Sequence, residues 1–213
     1  MTTPIVLPWT LQRSLEAATR VLLEPVDRPS LDFSQPIGEA ALVSPNSVSW
    51  RVFKNPLSLF IGGVTAVIME LAEPRVRTGV WEHTSFRVDP IRRLRRTGLA
   101  ATVTIYGARS TAEALIARVR RMHDRVAGTT PSGEVYCAND PELLNWVQGT
   151  AAYGFLQAYH TYVRPLSLSE RDCYYAEGIA PAALYGATGA PRSEADLFEF
   201  LAIMRSTPIL PMP

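Results

Sequence analysis

The chain has 213 residues, of which 47% are hydrophobic and 19% charged, so it contains enough apolar material for one substantial core. The formal net charge is +1, which excludes a whole-chain field that would attract nucleic acid or an anionic membrane. The two cysteines, Cys137 and Cys173, have neither metal-ligand nor redox-motif spacing. Lys54 is the only lysine beside many arginines, which favours a GC-rich bacterial genome. Without a secretory pattern at the N-terminus, we expect a cytoplasmic protein.

Two segments are predicted to precede the main domain. Apolar residues recur at helical spacing from Thr10 to Leu23, and a proline-containing connection follows from Pro25 to Pro45. We therefore predict an N-terminal helix and a wrapping segment over residues 1–49. A helical domain, beginning near Trp50, is predicted over residues 50–213.

Prolines and capping residues then mark the predicted helices. Pro56 opens an apolar helix over Leu57–Leu71, and Pro74 breaks this helix before a second segment that continues through Trp81. The apolar run falls short of the roughly 18–20 residues that span a bilayer, so we predict a buried helix. Its glycine pair, Gly62–Gly63, indicates the close approach of another helix or of a ligand.

The next two helices carry the candidate functional residues. Asp89-Pro90 is an N-cap followed by a first-turn proline, and the pattern predicts a helix to Tyr106. Ser110-Thr-Ala-Glu113 is typical of a capping box, and the helix that it starts is predicted to end at Gly128. The predicted apolar stripe of this second helix contains Ile116, Val119, His123 and Val126.

Three more helices complete the prediction. One starts at Asn139-Asp140-Pro141 and stops before Pro165, and the others cover Ser167–Tyr185 and Ser193–Met204. Strand alternation is scarce throughout. The fold class is therefore predicted to be all-α, a single-domain helical bundle with globin-like packing around a cofactor pocket.

The P-loop, the dinucleotide-binding glycine motif, the nucleophile elbow and the HExxH motif are all absent. The remaining candidates are three histidines and an arginine cluster with an adjacent threonine: His83, His123, His160, Arg92, Arg93, Arg95, Arg96 and Thr97. We interpret His160 as structural, because it lies near the C-terminal end of a helix, where a histidine favours the helix dipole.

His123 is the strongest candidate among these residues. A histidine on an apolar helix face is ordinarily a hydrogen-bonded core residue, and an arginine run is ordinarily a solvated basic face. Together, however, they have the composition of a haem site, because imidazole binds haem iron and arginines bind the two propionates. Plausible pocket-lining residues are Phe60, Val64, Ile68 and Phe86.

Five ordered motifs, between Trp50 and Met204, resemble the MpaB-like and latex-clearing-protein oxygenases. The motifs are Phe60-x-Gly-Gly-Val-Thr-Ala, Glu82-His83-x-x-Phe86, Asp89-Pro90-x-x-Arg93-x-x-Arg96-Thr97, His123-x-Arg125-Val126-x-Gly128 and Asp140-Pro141-Glu142-Leu143-Leu144-x-Trp146-Val147. The resemblance implies an all-helical fold that holds haem b. For the rubber-cleaving members it implies a dioxygen-dependent attack on a carbon–carbon double bond.

The resemblance also implies roles for individual residues. His123 matches the proximal iron ligand, while Arg93, Arg96 and Thr97 match the polar distal cluster. Two positions depart from the family pattern: Arg96 stands where rubber oxygenases have a lysine, and Gln148 stands where a histidine often follows the Trp-Val pair. Related domains continue through further helices, so we expect a truncated, proteolysed or divergent member with a more open pocket.

The sequence thus predicts a haem-b-dependent oxygenase that acts on an apolar or lipid-like small molecule with dioxygen. We expect His123 to bind iron, Arg93 with Arg92 or Arg95 to bind propionate, and Arg96 and Thr97 to donate hydrogen bonds to oxygen. His83, which Glu82 could polarise, is the next candidate for the cofactor site.

Two alternatives remain at this point, and a homo-oligomer stays open in each case. In the first, a cofactor-free helical binding module, His123 is a core residue and the arginines contact acids of a partner. In the second, a nucleic-acid binder would use Arg87–Arg96, but this run lacks interleaved aromatic residues.

Overall fold

The prediction of an all-α fold is confirmed. The structure is a computed structural model that describes residues 8–10, 13, 14, 17, 32, 33 and 35–205. Residues 1–7, 11, 12, 15, 16, 18–31 and 34 of the predicted N-terminal helix and wrapping segment lie outside the described residues. From residue 48 onward the helices are α1 (Val48–Val52), α2 (Pro56–Glu70), α3 (Pro74–His83), α4 (Pro90–Tyr106), α5 (Arg109–His123), α6 (Pro141–Tyr162), α7 (Leu168–Glu177), α8 (Ile179–Tyr185) and α9 (Glu194–Arg205).

Four of these helices begin with a proline behind a capping side chain, and the starts at Pro56, Pro90 and Pro141 were predicted. The caps of α2, α3, α4 and α6 are Asn55, Glu73, Asp89 and Asp140, and each accepts a hydrogen bond from a first-turn backbone N–H. A proline in the first position lacks only an N–H group that the helix would leave unpaired, and its fixed φ suits the helix. The predicted end of α4 at Tyr106 is also confirmed.

The predicted start of α5 is wrong. The helix begins at Arg109 and has no side-chain cap, so Ser110 does not form the expected capping box with Glu113. Instead, the backbone N–H and the hydroxyl of Ser110 donate to the two carboxylate oxygens of Glu39, at 2.6 and 2.8 Å. A carboxylate distant in sequence therefore takes the place of the local cap.

The predicted end of α5 at Gly128 is wrong as well. The helix ends at His123, and the chain then forms a hairpin of β1 (Ala127–Thr129) and β2 (Val135–Cys137). The strands are antiparallel, with Gly128 opposite Tyr136. Because strand pairing replaces the last predicted helical turn, Val126 does not share a helix face with His123.

The segment Ser167–Tyr185 forms two helices and not one. The capping box at Ser167 is present, since the Ser167 hydroxyl accepts from the Glu170 N–H and the Glu170 carboxylate accepts from the Ser167 N–H. Helix α7 nevertheless ends at Glu177, and α8 begins at Ile179 after Gly178.

Helices α2 and α6 form the most extensive contact in the fold. A Cβ atom added to Gly154 would lie 2.5 Å from the carbonyl oxygen of Gly62, and one added to Gly62 would lie 2.7 Å from Cα of Phe155. Gly62 of the predicted glycine pair thus allows helix-on-helix contact, whereas a Cβ atom added to Gly63 would meet its nearest neighbour, Leu94, at 3.5 Å. Around α6 the main core comprises Val43, Val48, Val52, Phe53, Ile105, Phe155, Leu156, Tyr159, Leu166, Tyr174, Tyr175 and Leu197.

Within the described residues, no single helix combines the length and apolar composition needed to cross a bilayer. Helices α2 and α3 meet that test only as a pair, and the chain bends by 110° between them.

Candidate functional site

Arg93 points from α4 towards α2. Its Nη2 donates to Oε2 of Glu70 at 3.3 Å, and the two side chains are only 16% and 4% exposed. Burial raises the pKa of Glu70, while the charge and hydrogen bond of Arg93 act in the opposite direction. The Nη1 atom of Arg93 is also buried and has no hydrogen-bond partner in the described chain. Arg93 therefore uses Nη2 to pair with Glu70, and its Nη1 remains available to donate to a further group.

Arg93, Arg96 and Thr97 are spaced i, i+3 and i+4 in α4, but their exposure differs. Arg93 points inward, whereas Arg96 and Thr97 are exposed, and the Thr97 hydroxyl donates to the Arg93 carbonyl at 3.2 Å. Arg92 is exposed, and its backbone N–H donates to the Asp89 cap at 2.9 Å. Among the residues described, no hydrogen bond or ion pair joins His123 to Arg93, Arg96 or Thr97.

His123 is the last residue of α5, and its ring is half-buried. The Nδ1 atom is enclosed and has no hydrogen-bond partner within the described part of the chain. Burial lowers the pKa of His123, while the side chains of Asn139 and Asp124 act in the opposite direction. The imidazole is therefore biased towards its neutral form, which is the form that binds metals.

Asn139 lies beside His123, in the link between the hairpin and α6. Its Nδ2 donates to Oδ1 of Asp124 at 2.6 Å and to the carbonyl of Arg120 at 3.1 Å. These two bonds satisfy acceptors at the C-terminal end of α5. The Oδ1 atom of Asn139 is buried and, like Nδ1 of His123, lacks a partner of good geometry among the described residues.

His83, at the end of α3, is exposed and lies edge-on to the ring of Tyr136, with the ring centroids 6.4 Å apart. The Tyr136 hydroxyl donates to Oε2 of Glu82 at 3.1 Å, and both burial and this carboxylate raise the pKa of Tyr136. His160 accepts a hydrogen bond at Nδ1 from the Leu166 backbone N–H at 2.8 Å, which fits the predicted structural role.

The apolar residues predicted to line a pocket lie on the accessible side of α2 and beside α3. Phe60, Val64 and Phe86 are half-buried, and Ile68 is 67% exposed. Two surface depressions lie elsewhere. One, of about 310 Å³, is lined by residues 188–192 with Asp196 and Phe200, and the other, of about 200 Å³, lies between α5 and Leu184.

Five buried side-chain polar atoms in the described chain have no hydrogen-bond partner, and three of them belong to the residues described above: Arg93 Nη1, His123 Nδ1 and Asn139 Oδ1. Such atoms are rare because each costs about 1–3 kcal/mol when unpaired. A neutral imidazole and a buried guanidinium with a spare donor are the groups that haem requires. His123 and Arg93 therefore fit this cofactor.

Sequence reasoning missed the roles of Glu70 and Asn139. Glu70 is one of many carboxylates in the sequence and was not singled out there. A carboxylate at the end of an otherwise apolar helix is nevertheless a signal for a buried ion pair. Asn139 was assigned only to the start of α6. No local pattern indicated its contact with α5.

Residues 50–210 match the family model described as "ER-bound oxygenase mpaB/B'/Rubber oxygenase, catalytic domain". No curated protein and no solved structure shows significant similarity to the chain. The matched span includes the whole candidate site, from Glu70 to Asn139.

Proposed function

Because the chain belongs to the mpaB and rubber oxygenase catalytic-domain family, we propose that it is a haem-b-dependent oxygenase acting on an apolar or lipid-like small molecule. Membership of an oxygenase family supports a small-molecule substrate and dioxygen as reactants. The haem proposal is carried by His123, whose half-buried ring is biased towards the neutral, metal-binding form because burial lowers its pKa. The buried Nη1 atom of Arg93, which has no partner among the described residues, supplies a donor for a propionate.

Residues of α4 and α5 would hold the haem and contact the reacting oxygen. His123 would hold the iron through its neutral ring, and Nη1 of Arg93 would donate to a propionate. Arg96 and Thr97, whose side chains are exposed on α4, would supply hydrogen-bond donors near the reacting oxygen. The bound haem would supply the iron centre at which dioxygen is activated.

The apolar surface of α2 supports the proposed substrate class. Ile68 is largely exposed and Phe60 and Val64 are half-buried, so the helix presents hydrocarbon and not charge beside the arginine-bearing helix α4. A substrate with few polar groups would gain about 25 cal/mol for each Å² of apolar surface removed from water there.

Replacing His123 with alanine is expected to lower haem content by at least about tenfold while helix content stays nearly unchanged, because the iron ligand is lost but the helix end is retained. The measurement is a pyridine haemochrome assay on protein expressed with a haem supply, with circular dichroism on the same samples. His160→Gln, which keeps an acceptor for the Leu166 N–H, is the control. Full haem retention in His123→Ala would contradict the assignment of His123 and would indicate His83 as the iron ligand.

The wild-type chain in the same assay separates the proposal from the cofactor-free binding module. Haem absorbs strongly in the Soret region, and a module without cofactor does not. A colourless protein after expression with haem would contradict the proposed function.

Arg96 predicts the spin state of the ferric protein. A guanidinium stays protonated, with a pKa above about 12, so it has no lone pair for iron and cannot replace a distal lysine as sixth ligand. Lys54 lies outside the motif, before α2. We expect a mainly high-spin ferric signal by electron paramagnetic resonance and ready binding of cyanide or imidazole. A purely low-spin signal that His83→Ala abolishes would assign the sixth position to His83.

A further inference from the structure

His123 and Asn139 present complementary atoms to each other. Nδ1 of His123 and Oδ1 of Asn139 are both buried, and neither has a hydrogen-bond partner of good geometry within the described chain. The Asn139 side chain nevertheless acts on the His123 ring, since it partly offsets the effect of burial. A hydrogen bond from Nδ1–H to Oδ1 would satisfy both atoms with one contact.

The orientation of the Asn139 amide follows from its other bonds. Nδ2 donates to the Asp124 carboxylate and to the Arg120 carbonyl, and both of these groups only accept hydrogen bonds. A flipped amide would place Oδ1 against two acceptors, so Oδ1 lies on the opposite side. Arg120, His123 and the C-cap residue Asp124 are spaced i, i+3 and i+4 and therefore lie on one side of the C-terminal end of α5. Asn139 thus contacts the same helix face as the His123 ring.

An acceptor at this position selects one form of the neutral imidazole. The ring carries a single proton, and only the Nδ1–H form can donate from its enclosed nitrogen. In that form the lone pair is on Nε2, which is not among the buried, unpartnered atoms. Histidines that bind metals commonly donate their second ring N–H to a nearby acceptor, which fixes the tautomer and the ring orientation.

We propose that Asn139 is a positioning residue that holds His123 in the Nδ1–H tautomer and leaves Nε2 free to bind iron. The identity of the metal centre rests on the proposed function. The tautomer is a property of the chain itself and can be measured without haem.

The first test uses the full ¹⁵N-labelled chain without haem, at a pH well above the His123 pKa. Two-bond ¹H–¹⁵N correlations distinguish the two tautomers. We expect the Nδ1–H form in wild type and no tautomer preference in Asn139→Leu. The preference should return in Asn139→Asp/Asp124→Asn, which keeps an acceptor at position 139 and exchanges the donor and the acceptor of the contact between residues 139 and 124. Asn145→Leu removes a half-buried amide of α6 that accepts from the Gly189 N–H, and it should leave the His123 tautomer unchanged.

The second test measures haem affinity of the same variants. Asn139→Leu is expected to weaken haem binding by about 10–100-fold, whereas Asn139→Asp/Asp124→Asn and Asn145→Leu stay close to wild type. An Nε2–H tautomer in wild type, or an unchanged tautomer in Asn139→Leu, would overturn the proposal. If Asn139→Leu does not fold, an Nε2–H form in wild type or in Asn139→Asp/Asp124→Asn does the same. Wild-type protein that shows the expected tautomer but binds no haem would contradict the proposed function alone.

Discussion

Replacing Arg93 with alanine is expected to lower the free energy of unfolding by about 3–5 kcal/mol. The change leaves Glu70, whose side chain is only 4% exposed, without the cation that neutralises it. Burial already raises the pKa of this carboxyl group, and loss of the arginine removes the opposing effect. Urea denaturation followed by circular dichroism gives the measurement.

Arg109→Ala is the matched control for this experiment. Arg109 pairs with Glu113 at 3.6 Å one helical turn away, and both side chains are about half exposed. An exposed pair of this kind contributes little, so the control should change stability by no more than about 0.5 kcal/mol. Equal stability of the two variants would show that the buried pair does not exist as described.

The role of Arg93 towards a propionate needs a background in which Glu70 carries no charge. Glu70→Gln removes that charge, and Glu70→Gln/Arg93→Ala then removes the arginine without leaving a buried carboxylate unpaired. If Nη1 binds a propionate, haem retention should be lower in the double variant than in Glu70→Gln. Equal haem retention in these two variants would show that Arg93 pairs with Glu70 but does not bind haem.

Gly154→Ala is expected to destabilise the fold by about 1–3 kcal/mol or more, because the contact between α2 and α6 leaves no room for a methyl group. The new Cβ would lie 2.5 Å from the Gly62 carbonyl oxygen and 3.0 Å from the Ala66 nitrogen. Both neighbours are helix backbone, so neither can move away without separating the two helices. Thermal or chemical denaturation measures the effect.

Gly98→Ala provides the control for the glycine contact. Gly98 lies inside α4, and an added Cβ would meet no atom within 4 Å. Alanine favours a helix over glycine by up to about 1 kcal/mol, so this variant should be neutral or more stable than wild type. Should Gly154→Ala be as stable as Gly98→Ala, the close packing of α2 on α6 would be contradicted.

The starts of α2, α3, α4 and α6 were predictable from the sequence because the signals are local. A capping side chain and a first-turn proline act on backbone groups only a few residues away, whatever the rest of the chain does. The same holds for the capping box at Ser167. Both ends of α5 were missed, because the carboxylate of Glu39 determines one and the pairing of β1 with β2 determines the other.

The sequence by itself determined the all-α class, the proline-marked helices, the family resemblance and the choice of His123 and Arg93 as candidates. These depend on residue identity, spacing and periodicity, which are properties of short stretches of chain. Only the tertiary structure decided that Arg93 faces Glu70 and that Asn139 contacts the helix end at His123. Partners of buried polar groups are chosen by packing between elements far apart in sequence, because each group must find a hydrogen bond wherever the fold encloses it.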